Sequence, residues 1–181
     1  MIYIFLSDGF EECEALAPID ILRRAQIEIK TVGIGSKTVV GSHGIPVVCD
    51  ITENEVSTDN LSGIILPGGM PGTVNLENSD TVQRFIDFAY SNHLIMGAIC
   101  AAPSILGHKN ILIGKKATCF TGFEKDLYGA IVTQEPAVRD DNIITAYGVG
   151  AAFEFGFLLL EAIKGKQEAD VLKKQMRYKE V

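Results

Sequence analysis

Three observations predict an α/β fold with a mostly parallel sheet covered by helices on both faces. Short apolar runs of strand length recur along the chain, helical stretches with one apolar side alternate with them, and glycine, proline or aspartate mark many of the turns. Such alternation needs crossover connections, which in parallel sheets are right-handed. The 181 residues suit one domain, read here as residues 1–181, and can bury a sizeable core.

Ile2–Leu6 is an apolar run followed by Ser7-Asp8-Gly9, as expected of an interior parallel strand. Residues 11–25 are helical, with Leu16, Ile19, Leu22 and Ala25 able to share a face; Pro18 predicts a kink or a late start. Residues 27–34 form a second strand. Thr38–Val40 and residues 45–48 flank Gly41-Ser-His-Gly44 and read as a β-hairpin projecting from the core. Residues 61–66 are a third buried strand, ending in Pro67-Gly68-Gly69. Residues 81–90 are helical, with Val82, Phe85, Ile86 and Phe88 or Ala89 on one side and Ser79 or Asp80 as cap. Residues 94–99 form the next strand. Short strands around 117–120, 130–133 and 143–147 lead to a helix over 151–164. The strands led by Ile2, Ile27, Leu61 and Leu94 should be adjacent and parallel.

Composition narrows the function. A net charge of −7 argues against nucleic-acid or anionic-membrane binding. No apolar stretch is long enough to span a membrane, and the N-terminus has no basic segment of a signal peptide. Cys13, Cys49, Cys100 and Cys119 show neither disulfide-scaffold density nor a metal-binding pattern, so a reducing, cytoplasmic location is expected, with no metal and no cofactor. The basic run over 173–179 reads as a solvated helix end.

The most informative residue is Cys100. An apolar strand ends on it, and Ala101-Ala102-Pro103 opens a helix at once, proline losing nothing in the first turn. A cysteine at a sharp strand-to-helix junction has the form of a nucleophile elbow, and free N–H groups at a helix start favour thiolate. An inert core cysteine is the alternative. Ligand sites in open α/β sheets lie beyond the carboxyl ends of the strands, where residues 8–14, residues 67–73 and Cys100 fall together. The Gly68-Gly69 backbone can offer an oxyanion donor, and one carboxyl of Glu11-Glu12-Cys13-Glu14 can face the thiol. Spacing does not say which. His43, His93 and His108 are the only histidines, and none is expected beside the thiol.

The order of Asp8-Gly-Phe-Glu-Glu-Cys-Glu14, Ile65-Leu-Pro-Gly-Gly69, Ala98-Ile-Cys-Ala-Ala-Pro103 and Gly148-Val-Gly-Ala-Ala-Phe-Glu-Phe155 resembles the ThiJ/PfpI superfamily. It looks closest to the branch of the parkinsonism-associated deglycase and its YajL-like bacterial relatives. The resemblance covers essentially the whole chain. It implies a flavodoxin-like sandwich and a homodimer, with Cys100 as the motif cysteine, Glu14 as the acid hydrogen-bonded to it, and the N–H groups of Gly69 and Ala101 as oxyanion donors. Gly68 and Cys119 are possible pocket residues. Where the PfpI-type proteases carry histidine after the cysteine, this chain has Ala101, and residues 117–124 lack the histidine common in the nearer branch.

Three readings follow. The first is cofactor-independent handling of a small aldehyde or dicarbonyl, glyoxalase- or deglycase-like, through Cys100 and Glu14. The second is an oxidative-stress sensor acting through oxidation of Cys100. The third is a dimeric, chaperone-like protein without catalysis. Peptidase activity is not expected, because no histidine stands ready to protonate a leaving amine. Cys100 is further expected to be the one strained non-glycine residue and to titrate below the ordinary thiol value of roughly 8.5, with Glu14 above roughly 4.3. The two titrations should be coupled.

Overall fold

Four parallel strands hold the centre of the protein, and each ends at the same edge. The computed structural model describes residues 1–179. The strands are β1 (Ile2–Leu6), β2 (Ile29–Gly33), β3 (Thr38–Val40), β4 (Pro46–Val48), β5 (Ile51–Thr52), β6 (Gly63–Leu66), β7 (Ile95–Ile99), β8 (Lys116–Ala117), β9 (Ile131–Val132), β10 (Ala137–Asp140) and β11 (Ile143–Ala146). The helices are α1 (Glu12–Arg24), α2 (Gly72–Glu77), α3 (Asp80–Ser91), α4 (Pro103–His108), α5 (Ala152–Lys164) and α6 (Lys166–Gln175). One sheet runs β10-β11-β7-β6-β1-β2-β5, parallel except for β10 against β11. The expected neighbours β2, β1, β6 and β7 are adjacent and parallel.

Side chains alternate along β1, so the strand feeds two cores. Ile2, Ile4 and Leu6 pack with α1, α5 and α6, while Tyr3 and Phe5 pack with α3 and α4 on the other face. The rings of Tyr3 and Phe5 meet the Phe85 edge at 5.7 and 5.6 Å. Chain order reverses between β1 and β6, where the loops after them part to opposite faces and leave the crevice in which such sheets bind ligands.

Several elements differ from expectation. Ile19, Leu22 and Ala25 of the expected stripe are buried, but Leu16 is 41% exposed, because α1 turns Ala15 and Pro18 inward in its place. Pro18 neither delays nor breaks α1. It is buried against Gly156 of α5, and this packing offsets the roughly 3 kcal/mol an interior proline costs. Of the segment 117–120 only Ala117 lies in a strand, as the end of β8, which pairs with β9 in a small separate sheet. β10 was not anticipated; it forms where Asp141, at φ 58°, turns the chain tightly before β11.

The hairpin β3–β4 forms as expected and is clamped to the start of α1. Glu12, 3% exposed, accepts from His43 N (2.9 Å), His43 Nδ1 (3.0 Å) and Ile45 N (3.4 Å). Burial alone would raise Glu12, but these bonds and its own N–H hold the carboxyl at about 2. The bond to Glu12 in turn raises His43. The carboxylate contribution is present above an unfolded pKa of about 4.3 and is lost as pH falls toward the folded value; the imidazolium contribution is present below about 6.5 and is lost as pH rises through its raised value. Glu12→Gln should therefore cost about 1–3 kcal/mol near neutral pH and flatten acid unfolding between roughly pH 5 and 2. Denaturant titrations across that range check this; an unchanged acid limb would contradict it.

Candidate active site

Cys100 sits at the end of β7 with its backbone fixed from two sides. Its N–H donates to Ala146 O (2.9 Å) on β11, and its carbonyl accepts from Phe120 N (2.8 Å). The chain turns there through φ 65°, the left-handed region, and enters α4 through Ala101-Ala102-Pro103. Cys100 is not alone in this. Eight non-glycine residues have positive φ among those described, but the other seven are exposed. Left-handed geometry is expected at exposed turns and helix ends, where polar side chains tolerate it; at a partly buried cysteine it marks a constraint imposed by the surroundings.

The carboxyl facing the thiol is that of Glu14, one turn into α1 and 1% exposed. The three acids of the run diverge by helical geometry. Glu11 takes the Ser42 hydroxyl (3.0 Å), Glu12 reaches the hairpin, and Glu14 points inward to hydrogen-bond the thiol and to accept from Gly68 N at 3.0 Å. Gly68 is required here because a Cβ would stand 2.5 Å from Cys100 Cβ and 2.7 Å from Glu14 Oε2. Gly69 follows at φ +91°, its backbone pressed against Gly9, Phe10 and Glu11. The N–H groups of Gly69 and Ala101 face the sulfur and favour its thiolate.

The expected residues Cys100, Glu14, Gly68, Gly69 and Ala101 are thus brought together, and Cys119 is not. Cys119 lines a separate cavity, together with Phe120. No histidine reaches the thiol: His43 bonds Glu12, His108 bonds Glu77 at 2.5 Å, and His93 is exposed at the end of α3. Phe120 is the residue that sequence reasoning missed. Its ring lies 3.2 Å from where a Cβ on Gly148 would be, and that point is 3.9 Å from Glu14 Oε1. The one grouping of possible metal ligands among the described residues is Glu11, Glu12 and His43, whose ligand atoms lie within 4.8 Å. Spacing could not reveal it, since His43 comes from the hairpin. Its carboxylates are engaged in the clamp.

The protonation of the pair differs from expectation in one respect. Burial raises Glu14 to about 7, against the opposing bonds from Cys100 and Gly68, with the Glu11 charge adding to the rise. Burial likewise raises the thiol, and the Glu14 charge and hydrogen bond push it further, up to about 12, against the lowering N–H groups of Gly69 and Ala101. The expected depression of the thiol is therefore corrected. α4 is only six residues long, and the group nearest the sulfur is an acid rather than a cation. Near neutral pH the pair gives up one proton and holds the one that remains between sulfur and carboxyl.

A flavodoxin-like α/β protein with a nucleophile-elbow cysteine and a buried acid partner is what this fold and site define. The pattern of the DJ-1/PfpI family matches residues 1–162, and the chain belongs to that family. It is 30% identical to Protein dj-1beta of Drosophila melanogaster, over 94% of this chain and 93% of that protein. It is 28% identical to a Caenorhabditis elegans protein named glutathione-independent glyoxalase DJR-1.2, over 92% of this chain and 89% of that one. Among solved structures, oxidized DJ-1 of Toxoplasma gondii matches with a TM-score of 0.94 at 26% identity, covering 99% of this chain and 98% of that chain.

Only the singly ionised pair can pass a proton from sulfur to oxygen as the sulfur reacts. Alkylation of Cys100 by iodoacetamide should therefore rise with a midpoint near pH 7, set by Glu14. In Glu14→Gln that midpoint should vanish, leaving one rise above the ordinary thiol range, because burial remains. A midpoint unchanged by the substitution would contradict the coupling.

Proposed function

We propose that the protein converts small α-oxoaldehydes to 2-hydroxy acids without a cofactor, in a glyoxalase-like reaction carried by Cys100 and Glu14. The observation behind this reading is the buried Glu14 carboxyl, at about 7, hydrogen-bonded to an elbow thiol that also faces two N–H donors. A general base is most effective with a pKa near the working pH. The name glutathione-independent glyoxalase borne by the Caenorhabditis elegans relative supports the substrate class.

The chemistry balances with water alone. The sulfur adds to the aldehyde carbon of methylglyoxal while Glu14 takes the thiol proton. The N–H groups of Gly69 and Ala101 stabilise the oxygen that gains charge. Glu14 returns that proton to this oxygen, giving a hemithioacetal, and then, as carboxylate, removes the hydrogen of the former aldehyde carbon while the ketone oxygen gains a proton through water. Glu14 delivers its proton to the former ketone carbon as the hydroxyl of the first carbon loses its own to water, so that the first carbon is oxidised and the second reduced within one molecule. The resulting thioester is hydrolysed by water, releasing lactate and restoring the thiol. Amide cleavage would need a further acid at the leaving nitrogen, so peptidase activity is not part of the proposal.

A second reading has its own support. Oxidation of Cys100 to a sulfinate would place its oxygens against the same N–H groups and a protonated Glu14, and the Toxoplasma gondii neighbour is described as oxidized. The proposal further takes the protein to be a cytoplasmic homodimer. Leu16, Val40, Ile45 and Val48, exposed on α1 and the hairpin, support the dimer, which light scattering tests. No helix among the described residues is long and apolar enough to cross a membrane.

Methylglyoxal consumption should disappear in Cys100→Ala. It should fall about 100-fold or more in Glu14→Ala, as expected for loss of a general base. The kcat/KM of the wild type should rise with pH through about 7 as Glu14 ionises. Lactate production measured by coupled assay checks all three. Turnover that survives Cys100→Ala would overturn the proposal, and oxidation of Cys100 without turnover would select the sensor reading.

A further inference from the structure

The cavity beside Phe120 encloses about 390 Å³. That volume lies in the range that holds a drug-sized ligand, about 300–1,000 Å³, and far exceeds the needs of a three-carbon oxoaldehyde. It neighbours the Cys100–Glu14 pair through two of its lining residues, Phe120 and Tyr147, which follow β8 and β11. Phe120, in its wall, donates its N–H to the Cys100 carbonyl. Tyr147, also in its wall, precedes the Gly148 that separates the Phe120 ring from Glu14.

The lining has a definite chemistry. Thr118, Thr121 and Gln134 supply hydroxyl and amide groups, and Phe120 and Tyr147 supply aromatic faces. The Thr133 hydroxyl is buried and has no hydrogen-bond partner among the described residues, an arrangement that costs free energy. Glu124 adds a carboxylate, held by the Gly122 N–H at 2.8 Å, and no Lys, Arg or His lines the space. Hydroxyl and amide groups beside aromatic rings suit an uncharged, polyhydroxylated chain. The carboxylate and the lack of cations disfavour a phosphorylated or carboxylated one.

We infer that this cavity is a subsite for the hydroxylated tail of a sugar-derived α-oxoaldehyde, whose reactive end reaches Cys100. The inference rests on the dicarbonyl reading of the Cys100–Glu14 pair and assigns that reading a substrate class. A longer substrate gains binding from the tail that methylglyoxal cannot make, and such remote contacts can raise the rate at the reacting carbon.

The test compares methylglyoxal with 3-deoxyglucosone on the wild type, Gln134→Ala and Thr121→Val, with circular dichroism to verify folding. The wild type should show the higher kcat/KM for 3-deoxyglucosone. Each variant should lose roughly 2–10-fold on it, the worth of one hydrogen bond, and little on methylglyoxal. Equal losses on both substrates, or a wild-type preference for methylglyoxal, would overturn the subsite. Saturation-transfer NMR of 3-deoxyglucosone with Cys100→Ala separates the two claims. Binding that the cavity variants weaken, with no turnover by the wild type, would sustain the subsite and sink the dicarbonyl reaction. Methylglyoxal turnover without such binding would do the reverse.

Discussion

The hydrogen bond between the Cys100 thiol and the Glu14 carboxyl is the interaction on which the rest of this protein's chemistry depends. Two acids buried against each other cannot both ionise cheaply, so they hold one proton between them over a wide pH range. The raised carboxyl has a thermodynamic sign. Its favourable contribution to folding is complete below about pH 4.3 and is lost as pH rises through about 7, a loss of about 4 kcal/mol above that value. The fold accepts this cost to keep a base of near-neutral pKa dry and aimed at sulfur.

What holds the pair is the crowding of three loops at one edge of the sheet. The turn after β1 leads into α1 and delivers Glu14. The turn after β6 lays Gly68 and Gly69 between that carboxyl and Cys100, and Glu11 N donates to Gly68 O at 2.9 Å to lock the two loops together. The end of β11 fixes the Cys100 amide. Each contact is backbone against backbone or against a short side chain, which explains why the site tolerates no Cβ at Gly68. The Glu12–His43 clamp anchors the same first turn of α1 from the opposite side, so the direction of Glu14 is set by two independent attachments.

Much of this was legible in the sequence. Apolar runs located the four central strands, and a strand running straight into Cys100-Ala-Ala-Pro103 identified the elbow. The motif resemblance, not spacing, singled out Glu14 from three neighbouring acids. What failed did so for definable reasons. Leu16 fits a helical apolar stripe, yet the stripe in use is shifted by α5 packing on Ala15 and Pro18. Pro18 reads locally as a helix breaker, and only the tertiary contact with Gly156 overrides it. The thiol was expected to be acidic because an elbow places it at a helix start. Burial, the shortness of α4 and a charged carboxylate next to the sulfur reverse that direction, and none of these is visible in local sequence. Phe120 escaped notice because no chemistry attaches to a phenylalanine until the fold sets it against Cys100 and in the wall of a cavity.

The most direct test of the shared proton is to watch the carboxyl itself. In protein labelled with 13C at glutamate side-chain carboxyls, one resonance, assigned by its loss in Glu14→Gln, should titrate near pH 7. In Cys100→Ala it should titrate higher still, because the thiol donor that favours the carboxylate is gone. A Glu14 resonance that titrates near the ordinary value of about 4.3, or one indifferent to Cys100→Ala, would contradict the account.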